Sequence, residues 1–251
     1  GSFLRYLDSA GVERVAIINY PAPDVMGFGE ETNDFSAQYV KAAPDRLIAV
    51  GGVHPRFSKE PATAVERLAG MGIRALKIHP PHMMIRPEQH LDAGATGEAL
   101  AAIYGAASAW RLPVIIHTGT SIFPGARSRL GDPMGIDDVA IDYPELQIVM
   151  AHGGRPLWCG HCFFLMRRHR NVWLDLSGIP PSSLPRYFPR LAEIAQRTLF
   201  GSDWPSPGIR DIGANIEAFL ALPDDYLPAE AKRAILQDNA LRLYPRRPSR
   251  P

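Results

Sequence analysis

The 251-residue chain is 46% hydrophobic and 21% charged with a formal net charge of +1. This is an ordinary globular composition that implies neither nucleic acid nor an anionic membrane surface as partner. The length matches a single (β/α)8 barrel of about 250 residues, no apolar run approaches the ~20 residues that cross a bilayer, and the first residues lack the basic start and long apolar region of a signal peptide.

In chain order, apolar runs alternate with helical patterns. Residues 4–10 read as the end of a helix stopped by Gly11, followed by a strand over 12–19. A helix over 35–43 turns at Pro44-Asp45 into a strand over 47–53, and a helix over 62–69 breaks at Gly70 and Gly72 before a strand over 73–78. An Ala-rich helix over 97–110 precedes a strand over 114–117, and a short helix over 137–142 precedes one over 146–152. Helices over 157–169 and 191–197 precede strands over 172–176 and 199–203, and helices over 212–220 and 229–243 end the pattern. Strands alternating with helices predict parallel βαβ units and one undivided α/β barrel domain over 1–251. The Arg-rich stretch 245–251 is expected to be a frayed, solvated tail. Seven strands emerge and the chain opens on a helix, as though a strand preceded it, whereas a closed barrel of this class needs eight.

Three runs end on a polar residue: Pro113–Gly119 on His117, Ile148–Gly154 on His152, and Thr198–Pro205 on Asp203. Apolar runs bounded by Gly or Pro read as buried parallel strands, and the carboxyl ends of such strands are where ligands bind. Side chains alternate along a strand, so His117 is expected on the face of Ile115, His152 on that of Met150, and Asp203 on that of Gly201. Each alone could be a polar residue capping a strand; three together point to a shared site. Two imidazoles and a carboxylate suit zinc, which lowers the pKa of a bound water. Lys77 and His79 share a face of the strand over 73–78, where an inward lysine could hold an anionic substrate or instead face the helix layer and be solvated. His54 ends its strand without support, and His82, His90, His161 and His169 are expected to be bland loop or helix residues. The loop over 118–135, with Arg127 and Arg129, is long for a βα connection and is expected to shape a pocket. Arg155 is placed to grip a carboxylate; a surface salt bridge is the competing reading for each arginine.

Trp158-Cys159-Gly160-His161-Cys162 has the form of a dithiol redox motif at a helix start. It lies inside an unbroken series of barrel units, so Cys159 and Cys162 are expected to be ordinary helix residues, which suits a reducing cytoplasm.

The ordered set His117-Thr118-Gly119, His152-Gly153-Gly154, Asn171-Val172-Trp173-Leu174-Asp175-Leu176-Ser177-Gly178 and Gly201-Ser202-Asp203-Trp204-Pro205 resembles the amidohydrolase superfamily. It is most similar to the amidohydrolase-related branch of aminocarboxymuconate-semialdehyde and resorcylate decarboxylases and small lactone hydrolases, and the run over 235–244 is similar to the helix that closes such chains. The resemblance implies a TIM-type (β/α)8 barrel in which His117 is the fifth-strand metal ligand. It makes His152 the sixth-strand histidine that orients or activates water or substrate, and Asp203 the eighth-strand metal ligand and proton shuttle. The first-strand His-x-His pair of the superfamily is absent from this sequence, so that pair lies upstream or this member works without it. The implied activity is hydrolysis of a small carboxylated cyclic or aromatic compound with a divalent metal, zinc by type, and Lys77, His79, Arg155 and Arg127 as substrate contacts. Decarboxylation on the same scaffold, a dithiol oxidoreductase and a decayed barrel used as a binding module are the alternatives. A homodimer is plausible by the same resemblance.

Overall fold

The apolar runs fold as seven parallel strands in the computed structural model of the protein, which describes residues 1–206, 209 and 211–245. They are β1 (Val15–Ile18), β2 (Leu47–Gly51), β3 (Ala75–Ile78), β4 (Val114–His117), β5 (Ile148–Ala151), β6 (Val172–Asp175) and β7 (Thr198–Leu199). Each pairs with the next in sequence, in the order β1 to β7, as in the register of β4 on β5, where Val114 meets Ile148 and His117 meets Ala151. The sheet curls into a part-barrel whose edges are β1 and β7. No helix of the described residues is long and apolar enough to cross a membrane.

The strands are flanked by α1 (Ser2–Ser9), α2 (Pro23–Met26), α3 (Glu31–Val40), α4 (Pro61–Met71), α5 (Pro80–Met83) and α6 (Ala95–Ala109). Further along lie α7 (Ile136–Asp142), α8 (Cys159–Arg168), α9 (Leu184–Tyr187), α10 (Ile212–Leu220), α11 (Ala229–Arg233) and α12 (Asn239–Leu243). Local chemistry sets their ends. Proline opens α4, where its missing N–H costs nothing, and Gly72 closes it in the left-handed conformation. Asp211 caps α10 by accepting from the Ala214 N–H at 2.7 Å.

Strand alternation sorts the core into two layers. Ile48, Val50, Ala75, Ile115, Val149, Ala151, Trp173 and Leu199 fill the barrel interior, closed below by Leu243 and Tyr244. The intervening Ala49, Leu76, Ile78, Val114, Ile116, Met150 and Leu174 pack against the helices. Near-continuous apolar strands are what burial on both faces requires.

The elements differ from expectation at their ends. The strand expected over 146–152 stops at Ala151, and that over 199–203 shrinks to Thr198–Leu199. Residues 191–197 wind as a 3-10 helix, and a π turn at Ala234–Asp238 separates α11 from α12. The stretch expected as a tail lies outside the described residues beyond Pro245.

Candidate active site

At the carboxyl ends of the strands, four imidazoles come together. His79 follows β3, His82 lies on α5 and His117 ends β4. The His79 ring stacks on His82 at 3.5 Å between centroids and on His117 at 3.7 Å. His152 tilts against His117 at 4.7 Å, and Tyr20, just past β1, stacks on the outer side of His79 at 5.4 Å. Burial, reinforced by neighbouring imidazoles and Lys77, holds His79 and His117 well below the ordinary histidine range; His152 is lowered by burial, Lys77 and Arg155. These rings are neutral at physiological pH.

His117 keeps the inward face of Ile115, as alternation predicts. His152 does not follow Met150, which points to the helix layer. Its own backbone, at φ 69°, is left-handed and turns the ring into the mouth. Asp203 adopts the same conformation at φ 62° beyond the short β7. A left-handed residue other than glycine costs of order 1–3 kcal/mol and persists only where the surroundings enforce it. Both expected catalytic residues therefore reach the site by a backbone reversal, not by strand parity.

His152 is fixed by Ser177, whose carbonyl oxygen and Oγ each lie 3.0 Å from its Nδ1. The Ser177 hydroxyl donates to Asp175 Oδ2 at 2.8 Å, and the Ser177 N–H donates to Asp175 Oδ1 at 2.9 Å. With its one proton spent on Asp175, Ser177 can only accept from His152, so Nδ1 carries the hydrogen and Nε2 a lone pair. Asp175 and Ser177 carried no role in the sequence reading, although Asp175 shares strand parity with the inward Trp173.

Lys77 is 4% exposed and shares strand parity with the inward Ala75, so it points into the barrel and not to the helix layer. Burial pushes its ammonium down to about 8, against the opposing pull of Asp175 and Asp203. Burial likewise raises both carboxyls, while Lys77 draws each of them back. Arg155 reaches Asp203 at 3.7 Å and keeps a buried Nε without a hydrogen-bond partner. A Cβ on Gly178 would stand 2.6 Å from the guanidinium, so glycine there makes its room.

The structure thus unites Lys77, His79, His117, His152, Arg155 and Asp203 and adds His82, Tyr20, Asp175 and Ser177. His82 lies on a helix, within the expectation of a loop or helix residue, but is not bland: the Pro80-Pro81 start builds a helical turn that places it in the stack. Arg127 lies exposed on the loop after β4, its backbone N–H on the Pro81 carbonyl at 3.3 Å, outside the contacts that join the others. His54 is buried against Phe57 at 4.6 Å, apart from the stack. His90, His161 and His169 pair with Asp142, Asp132 and Asp137, as suits framework or surface residues.

The amidohydrolase family model matches residues 7–246. The chain belongs to the amidohydrolase family. This amidohydrolase is similar in structure to a TIM-barrel protein from Bordetella bronchiseptica, with TM-score 0.76, 24% identity and coverage of 96% of this chain and 80% of the other. It is similar to a 5-carboxyvanillate decarboxylase from Novosphingobium aromaticivorans, complexed with manganese and a nitrobenzoic acid, with TM-score 0.69, 17% identity and coverage of 97% and 80%. A 4-oxalomesaconate hydratase from Rhodopseudomonas palustris superposes with TM-score 0.69, 18% identity and coverage of 97% and 80%. These likenesses establish the TIM-barrel fold. No curated protein matches the sequence.

Both nitrogens of His117 and Nδ1 of His79 are buried without a hydrogen-bond partner, the condition a metal ion relieves. Yet the two rings lie face to face, 20° apart in plane, and present π surfaces to each other. Among the described residues no three His, Cys, Asp or Glu gather into a group that could hold a metal. His117 and Asp203 offer two donors; the described residues alone do not fit the ion.

The dithiol motif fails on burial. Cys159 is pushed up to about 11 and Cys162 higher still, chiefly by desolvation, the reverse of a reactive thiolate. Cys162 is enclosed, its Sγ 3.9 Å from the Thr118 hydroxyl. Replacing Cys159→Ser and Cys162→Ser together is expected to leave turnover intact; loss of turnover in a variant that still folds by circular dichroism would restore the redox reading.

Proposed function

We propose that this amidohydrolase hydrolyses a small carboxylated cyclic or aromatic compound, with His152 and Asp203 handling the proton of an attacking water. The observation that carries the reading is the fixed state of His152: Ser177 holds Nδ1–H, so Nε2 is a lone pair available to a water. In attack, water's oxygen bonds to the electrophilic carbon as its proton passes to Nε2. The leaving atom receives a proton from the Asp203 carboxyl, whose pKa burial raises above the ordinary carboxylate value. Lys77 and Arg155 supply positive charge for the substrate carboxylate. Arg127 is a substrate contact only if the loop after β4 brings it inward. A divalent metal enters this reading as far as His117 and Asp203 supply donors, with further ligands needed from outside the described set.

One observation favours a second reaction. Asp203, its carboxyl raised by burial and set beside the cations Lys77 and Arg155, suits non-oxidative decarboxylation, in which the substrate's C–C electron pair stays on carbon, carbon dioxide leaves, and the Asp203 carboxyl protonates that carbon. Two structural relatives, a 5-carboxyvanillate decarboxylase and a 4-oxalomesaconate hydratase, act on carboxylated compounds, which supports the substrate class.

Turnover of a panel of aromatic carboxylates and small lactones in ¹⁸O-labelled, deuterated water separates the two. Label in the product's new oxygen marks hydrolysis; carbon dioxide release with deuterium on carbon marks decarboxylation. Turnover by neither route across the panel would sink the proposal.

A further inference from the structure

Tyr20, His82 and Ser121 come from the end of β1, from α5 and from the loop after β4. His82 is 1% exposed and uses both ring nitrogens. Nδ1 lies 3.0 Å from Tyr20 Oη and Nε2 lies 2.9 Å from Ser121 Oγ. Phe123 of the same loop meets the ring edge-on at 5.1 Å. The loop is knit locally, since the Ser121 N–H donates to Ser128 Oγ and the Ser128 hydroxyl donates back to the Ser121 carbonyl, both at 3.2 Å. Otherwise its tip is open, with Ile122 75% exposed.

Burial and the nearby Lys77 charge push His82 down to about 4, so its ring is neutral. A neutral imidazole has one N–H and one lone pair. One of the two hydroxyls must therefore donate to the ring and the other accept from it. Ser121 Oγ already accepts from the Phe123 N–H at 3.3 Å, and among the described residues His82 Nε2 is the acceptor that its own proton can reach, which assigns Ser121 as the donor. Nδ1 then carries the hydrogen and donates to Tyr20 Oη. That leaves the Tyr20 hydroxyl proton free for a third partner. Tyr20 stands on the wall of the site, against His79 and within the field of Asp203.

We propose that His82 is a positioning residue that transmits the hydrogen-bond sense of Ser121 to Tyr20, so that Tyr20 presents its hydroxyl proton to a substrate oxygen. The loop after β4 thereby sets the polarity of a group at the end of β1. The substrate oxygen, carboxylate or phenolic, rests on the function proposed above; the tautomer of His82 does not.

Imidazole ¹⁵N NMR of the intact chain tests the coupling. In the wild type His82 is expected as the Nδ1–H tautomer. Ser121→Ala removes the donor to Nε2 and is expected to move the tautomer ratio toward Nε2–H by about fivefold, the worth of one ordinary hydrogen bond; Ser121→Thr restores it. An Nε2–H wild type, or a Ser121→Ala ratio equal to wild type, overturns the proposal. Benzoate then probes Tyr20 by titration calorimetry. Tyr20→Phe and Ser121→Ala are each expected to weaken binding about fivefold, and the double variant no further, because both act on one hydroxyl. Additive losses would overturn the coupling. If the wild type binds no benzoate, the carboxylate reading and the role of Tyr20 toward substrate fall, while the link from Ser121 to His82 is still decided by the tautomer ratio.

Discussion

Asp203→Asn is expected to lower turnover by about 10²–10⁴-fold, the usual contribution of a positioned general acid or base, with the circular dichroism spectrum and melting midpoint close to wild type. The substitution is chosen for its backbone. Asp203 sits at φ 62°, and asparagine tolerates that conformation as readily as aspartate. The side chain keeps its shape and can still face the Arg155 guanidinium, which lies 3.7 Å from the carboxylate in the wild type. What is lost is a group able to take up and release a proton. Burial raises the carboxyl while Lys77 and Arg155 pull it down. A pH–rate profile of the wild type should carry the titration of this group, and the variant's residual rate should not. Wild-type turnover in Asp203→Asn would remove Asp203 from the chemistry in both the hydrolytic and the decarboxylative reading.

Lys77→Met is expected to raise KM for a carboxylated substrate by about 30-fold, the loss that accompanies removal of one partner from a desolvated charge pair. In the wild type, affinity should be highest below pH 8 and fall as pH rises through about 8, where the ammonium loses its proton. The variant should lack that alkaline decline. The same change should show in the acids. Lys77 lowers the pKa of Asp175 and of Asp203, so its removal must raise both, and the limb of the rate profile that reports Asp203 as proton donor should move to higher pH. The variant is expected to keep the wild-type circular dichroism spectrum. An unchanged KM together with an unchanged pH profile would place Lys77 in the framework and not in the pocket.

The parallel barrel was legible because apolar strands buried on both faces leave a pattern that composition does not blur. Ile115 and His117 illustrate it, since strand parity alone put them on the inward face. The same rule failed for His152, because parity with Met150 assumes extended backbone and the chain reverses at that residue. No residue-type signal announces such a reversal in a histidine. His82 was missed for a different reason. It lies beyond the end of its strand, where parity says nothing, and Pro80 and Pro81 begin a four-residue helix that brings the imidazole onto His79. Asp175 was the recoverable omission: it ends β6 two residues after Trp173, the parity that served His117. Ser177 needed the fold, since only the approach of β5 and β6 brings it to His152. Arg127 shows the converse, a residue type suited to the task on a loop that does not carry it to the stack.

The left-handed backbones at His152 and Asp203 carry a consequence for how this amidohydrolase can change. Glycine would relax each position, so selection for heat resistance alone would favour erasing the two side chains on which the chemistry depends. Durability and catalysis pull against each other at these residues. Any lineage or laboratory scheme that keeps both functional groups has to find its added robustness elsewhere in the barrel.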